Sequence, residues 1–181
     1  GVFGECGALE RVALPKGVSV IPRYAFAWCA CLQTVSMESD VRDIQAHAFA
    51  YCGNLLTFDF GRLLTHIGSN AFSFCGSLEE VRLPASITEL ESYAFAECLR
   101  LRRIQLPANP HLLGELILSG CRAMEEVVEM SAAVPKFDCE STLFEPGDSE
   151  VYERCVLRVA PGKAAAYSVA PGWNLFSRIK E

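Results

Sequence analysis

The chain has 181 residues, is 51% hydrophobic and carries a formal net charge of -6, a size that suits one domain with its own core. Its Lys and Arg residues are dispersed, with Arg100, Arg102 and Arg103 the one close group, too few to neutralise a row of phosphates, and nucleic-acid binding is excluded as a class. No apolar stretch approaches the roughly 20 residues that cross a bilayer, so no transmembrane segment is expected. No signal peptide is visible either.

The elements come from a repeat. Cys6, Cys29, Cys52, Cys75, Cys98 and Cys121 stand 23 residues apart, a period typical of solenoids, whose turns are too small to bury an apolar face alone and must stack. Three residues before the first five of these cysteines come Phe3, Phe26, Phe49, Phe72 and Phe95, the last four preceded by Ala25, Ala48, Ala71 and Ala94. After each cysteine follow Leu9, Leu32, Leu55, Leu78, Leu101 and Met124, then Val12, Val35, Phe58, Val81, Ile104 and Val127, then Leu14, Met37, Phe60, Leu83 and Leu106. This L-x-x-V-x-L pattern ends in the period-2 alternation of a half-buried strand. Pro15, Gly61, Pro84 and Pro107 would end it.

A second apolar pair, such as Val41 and Ile44 or Leu64 and Ile67, predicts another short extended segment on an opposite wall. Stacked turns would pair in parallel at about 4.8 Å, making each column a ladder. A buried Phe removes roughly 150 to 250 Å² from water, an upper bound of about 4 to 6 kcal/mol per rung. The Phe column is therefore expected to be a main source of cohesion.

The string Ile67-Gly68-Ser69-Asn70-Ala71-Phe72-Ser73-Phe74-Cys75-Gly76-Ser77-Leu78-Glu79-Glu80-Val81-Arg82-Leu83-Pro84 resembles the repeat of BspA-type, or Treponema-type, leucine-rich repeat proteins, a bacterial cell-surface family. The resemblance covers residues 1 to about 130. It implies a solenoid of five to six repeats, mainly β with short turns and a stacked parallel β-sheet. In the last copy Ile117-Leu118 replaces Ala-Phe and Glu129 replaces the final strand leucine, so that copy is expected to be irregular.

Residues 131–181 read as a C-terminal cap of the same domain. Pro135, Cys139, Phe144 and the stretch from Glu145 to Glu150 carry turn and loop chemistry. Cys155 to Val159 reads as a strand, and Lys163 to Ala170 as a short helix ended by Pro171-Gly172. Trp173, Phe176 and Ile179 close the chain. An open solenoid end exposes strand edges and core side chains, so an atypical terminal unit is expected. The segments Val159 to Tyr167 and Gly172 to Phe176 also resemble the C-terminal part of bacterial, especially Bacteroides-like, family members, which implies a true C-terminus. The chain starts inside a repeat at Gly1-Val2-Phe3, and upstream sequence is expected.

Candidate chemistry is sparse. The cysteines are spread along the solenoid axis instead of converging as ligands do, so no metal site is expected. Stacked side chains also point the same way, which favours free, buried thiols over disulfides. Cys31, Cys139 and Cys155 lie outside the ladder and are the expected reactive thiols. His47, His66 and His111 have no partners in a spacing used for catalysis, and phosphate-cradle and hydrolase motifs are absent. No cofactor is expected.

What remains is surface. Side chains alternating outward on the main strand, Arg11, Thr34, Ser36, Thr57, Asp59, Glu80, Arg82, Arg103 and Gln105, form a possible partner-binding sheet face, with plain solvated surface as the alternative. Trp28, Tyr51 and Phe74 form an aromatic stripe on consecutive rungs, bordered by Glu5 and Glu97, which serves either packing or binding. The family resemblance implies a non-enzymatic recognition or adhesion module, at the cell surface or secreted, with a host matrix or other surface protein as ligand. The alternatives are a carbohydrate-binding accessory module and the recognition segment of a larger enzyme.

Overall fold

The computed structural model describes residues 2–37, 40–108, 110–137, 141–145 and 147–181. With strands numbered along the whole chain, the L-x-x-V-x-L segments form β1 (Arg11–Leu14), β3 (Thr34–Met37), β5 (Thr57–Phe58), β7 (Glu80–Arg82), β9 (Arg103–Gln105) and β11 (Glu126–Glu129). The second apolar pairs form β2 (Val20–Ile21), β4 (Asp43–Ile44), β6 (His66–Ile67), β8 (Glu89–Leu90) and β10 (Leu112–Leu113). Pairing is parallel and follows the repeat: Val12 lies opposite Val35, Ile44 opposite Ile67, and Val81 opposite Ile104. The chain is a parallel β-solenoid.

Three walls enclose the core. The first holds β1-β3-β5 and then β7-β9-β11, and its ladder lapses between β5 and β7. That lapse coincides with the turn where Phe58 and Phe60 replace smaller residues. Both rings wedge edge-on against Phe72, at 4.8 and 5.3 Å. The second wall is β2-β4-β6-β8-β10. The third, not foreseen from the sequence, is the Ala-Phe arc. There the N–H groups of Tyr24, Phe26 and Trp28 donate to the carbonyls of Ala46, Ala48 and Ala50 in the next turn, at 3.3, 2.8 and 2.8 Å. Phe49, Phe72 and Phe95 repeat the pattern, donating to Ala71, Ala94 and Ile117.

Phe26, Phe49, Phe72 and Phe95 are buried and stack at 5.2 Å centroid spacing, as a ladder requires. Phe3, on the open first turn, is 48% exposed. The cysteine column does more than fill space. The thiols of Cys52, Cys75, Cys98 and Cys121 donate to the carbonyls of Phe26, Phe49, Phe72 and Phe95, at 3.1 to 3.3 Å. Cysteine is apolar enough for full burial and still offers a weak donor, which explains the residue choice. The first member departs from the column, since Cys6 is exposed.

The C-terminal region continues the main wall. It comprises α1 (Ser149–Arg154), β12 (Val156–Val159), α2 (Ala164–Tyr167) and β13 (Arg178–Lys180), with β12 pairing β11 and β13 pairing β12. Three expectations are corrected. The polar stretch read as loop ends in α1, whose Val151 and Tyr152 turn inward. The helix expected over 163–170 is a single turn, because Pro171 follows closely. The copy with Ile117-Leu118 is not irregular: both residues are buried, and β11 keeps register with β9. Irregularity comes one turn later, where Glu126 pairs Val156, 30 positions on. Leucine and isoleucine suffice to fill the space of the missing Phe, whereas the longer excursion accommodates α1.

Trp173 seals this end. It is fully buried, its indole N–H donates to the Pro135 carbonyl at 2.8 Å, and it stacks on Phe137 and meets Tyr167 edge-on. Glu129 is buried beside Ser131, whose N–H and hydroxyl both donate to its Oε1. Burial pushes its carboxyl up from the ordinary range.

Candidate recognition surfaces

The titratable groups organise structure. His66 on β6 lies between Asp43 of the preceding turn and Glu91 of the next, at 2.6 Å from Nδ1 and 2.9 Å from Nε2. Glu91 also accepts hydrogen bonds from the N–H and hydroxyl of Ser69, at 2.8 and 2.6 Å. Burial opposes a charged His66, yet the hydrogen bonds and charges of the two carboxylates prevail and raise its pKa. Sequence reading missed this partnership because it exists only once turns stack. Among the described residues no group of three or more His, Cys, Asp or Glu side chains is arranged to hold a metal ion.

The cysteines need one correction. Cys155 is not reactive: it is buried, and burial raises its thiol to about 12. Cys75 and Cys121 are raised by the same desolvation, far from a thiolate. Cys31 is partly exposed, and Cys139 lies outside the described residues.

All nine residues of the expected sheet face, Arg11, Thr34, Ser36, Thr57, Asp59, Glu80, Arg82, Arg103 and Gln105, are exposed on the first wall. Its later half is an ion-pair ladder: Arg82 meets Glu80 at 2.9 Å, Arg103 meets Glu126 at 3.1 Å, and Arg158 meets Glu126 at 2.8 Å. Exposed pairs of this kind contribute about 0 to 1 kcal/mol each. They engage one another and leave few groups unpaired for a ligand.

The aromatic stripe belongs to the third wall. Trp28, Tyr51 and Phe74 are 45%, 41% and 42% exposed, and their rings stack on one another at 5.6 and 4.4 Å within 8° of parallel. A second column runs beside them through Tyr24, His47, Asn70 and Tyr93. Tyr24 stacks on His47 at 4.8 Å and on Trp28 at 6.1 Å. The sequence held the signal for this column in its 23-residue register, but variable side chains there read as ordinary surface.

Both columns occupy unusual backbone. Trp28, Tyr51 and Phe74 have φ of 61°, 64° and 60°, and Tyr24, His47 and Tyr93 have 56°, 59° and 59°. This left-handed region costs a side-chain-bearing residue roughly 1 to 2 kcal/mol and is where glycine is expected. Gly120, with φ of 73°, takes that option in the stripe's own column. Glu5, Glu97, Asn70 and Leu116 share this conformation, but at Tyr24, Trp28, Tyr51 and Phe74 bulky rings stand in strained backbone and half in solvent, a combination that stability alone does not favour.

With these surfaces defined, comparison with known proteins places the chain. The profile of the BspA type leucine rich repeat region matches residues 1–125 in six copies. The chain belongs to this family. Members are generally non-enzymatic, are associated with bacterial surfaces and typically bind proteins.

Among solved structures, a T. pallidum leucine rich repeat protein is 37% identical with a TM-score of 0.68, over 73% of this chain and 62% of that one. A leucine-rich repeat protein from Bacteroides ovatus has 22% identity and a TM-score of 0.67, over 99% of this chain and 39% of its own. The pneumococcal vaccine antigen PcpA has 14% identity and a TM-score of 0.55, over 96% of this chain and 68% of its own. The last two share the fold. The chain thus spans less than two thirds of the first two relatives. No curated protein matches the chain. No helix among the described residues is long and apolar enough to cross a membrane.

Proposed function

We propose that this chain is a non-enzymatic protein-recognition module of a cell-surface or secreted bacterial protein. In this reading it acts in adhesion to host matrix or other surface proteins, with residues 131–181 closing the stack as its cap. The aromatic wall is the binding face. The observation that carries this is the retention of Tyr24, Trp28, Tyr51 and Phe74 at left-handed, half-exposed positions, where strain and exposure both disfavour large rings. Contiguous exposed aromatics mark contact surfaces, and LRR proteins typically bind proteins. The ion-paired sheet face is the lesser candidate, because its charges are already engaged with each other.

The carbohydrate reading finds less support. Stacking on a sugar needs a free ring face, whereas Trp28, Tyr51 and Phe74 cover one another's faces. The test is binding of immobilised chain to a panel of matrix proteins and to a glycan array. It compares the parent with Tyr51→Gly/Phe74→Gly and with Arg82→Ala/Arg103→Ala. Protein binding lost only in the glycine variant supports the reading. Loss only in the arginine variant moves the site to the sheet, and binding to glycans alone overturns it.

A further inference from the structure

The ridge has a chemistry more specific than exposed aromatic area, and resting on the recognition reading above, we propose that its ligand is a proline-rich segment in polyproline II conformation. The rings of Trp28, Tyr51 and Phe74 lie parallel and stacked along the solenoid axis. Their faces therefore meet each other and their edges meet solvent. The ridge carries donors on exposed side chains, the indole N–H of Trp28 and the hydroxyl of Tyr51, with the hydroxyl of Tyr24 beside them, whereas the indole N–H of buried Trp173 is taken by the Pro135 carbonyl. A polyproline chain is the complementary object. Its backbone carbonyls are unpaired acceptors for those donors, and it has no N–H of its own to satisfy.

Spacing selects the same conformation. Polyproline II repeats every three residues, about 9.3 Å, close to two solenoid rungs at about 9.6 Å. Trp28 and Phe74 are two rungs apart, so prolines at i and i+3 would meet both. An extended strand repeats at roughly 6.6 to 6.8 Å and matches neither one rung nor two.

Charge sets the flanks. Glu5 and Glu97 border the stripe in its own column, and Glu115 and Glu145 act on Tyr93, whose hydroxyl pKa is raised by burial and by those two charges. The facing cation is Arg23; burial and the Arg23 charge together disfavour protonation of His47. The ligand is thus a proline run with Lys or Arg beyond its ends.

Titration with a nonaproline peptide flanked by lysines tests this. The chain has two tryptophans, and Trp173 is buried while Trp28 is exposed, so fluorescence reports on the ridge. Controls are a Thr-Val alternating peptide of equal length and charge, and xylohexaose. The expected result is a saturable change with the proline peptide that weakens at least tenfold in Tyr51→Gly and in Phe74→Gly. Glycine relaxes the backbone at these positions, so both variants fold, as an unchanged or raised thermal midpoint verifies. Equal binding of the Thr-Val peptide, or no response to proline while the matrix panel still binds through the ridge, overturns the conformational inference alone. A response to xylohexaose only overturns the recognition reading as well.

Discussion

Phe72→Ala removes the central rung of the Phe ladder. The ring is fully buried. It stacks on Phe49 and Phe95 at 5.2 Å and takes the edges of Phe58 and Phe60 at 4.8 and 5.3 Å. Truncation of a buried Phe costs about 3 to 5 kcal/mol, comprising lost transfer energy and a residual cavity. Aromatic pairs add about 0.5 to 1.5 kcal/mol each, and this ring makes four. The loss should therefore lie near the top of that range. Inward collapse of Phe58, only partly buried in the adjoining wall, is the one relaxation that would reduce it. Urea unfolding followed by far-ultraviolet circular dichroism measures the loss, with Phe3→Ala as the internal comparison. Phe3 is 48% exposed and makes one stack, at 5.4 Å, so its truncation should cost about 1 kcal/mol or less. Equal losses for the two variants, or a loss below about 1.5 kcal/mol at Phe72, would refute the ladder argument.

Two further outcomes are expected. Alkylation at neutral pH, read by peptide mass, should label Cys6 and Cys31 in the native chain and leave Cys52, Cys75, Cys98, Cys121 and Cys155 until it unfolds; labelling of Cys75 as fast as Cys6 would contradict the buried, carbonyl-bonded column. The His66 relay should make stability depend on pH. A raised folded pKa means that His66's contribution is complete below its unfolded value of about 6.5 and is lost as pH rises through the folded one. Burial raises the Glu91 pKa, but hydrogen bonds from Ser69 and His66 outweigh it and leave the pKa lowered. Its contribution is present above about 4.3 and lost in more acidic solution. Thermal midpoints should thus be higher at pH 6 than at pH 8.5 by a margin that shrinks in His66→Gln. An unchanged margin in that variant would remove the relay.

Much of this was readable in one dimension because the fold is itself one-dimensional. A residue 23 positions away is a spatial neighbour, so columns of Phe, Cys, Leu and Val in the sequence are ladders in the structure. Where the period holds, register, core and strand position follow from counting. Beyond Met130 counting fails: local signals still placed a strand at Cys155 to Val159 and a helix after Lys163, but α1 and the shortness of α2 depend on how Val151, Tyr152, Tyr167 and Trp173 pack against the last rungs. Cys155 illustrates the cost. Outside the ladder by sequence, it is buried at the junction of α1 and β12.

The site divides the same way. The order of residues determined that Trp28, Tyr51 and Phe74 share a column and that Arg11 through Gln105 share a face. Only the folded chain decided that the rings cover one another's faces, that their backbone is left-handed, that Tyr24 and His47 join them, and that Asp43 and Glu91 flank His66. Ring orientation and φ depend on hydrogen bonds between successive turns, and those exist only after stacking.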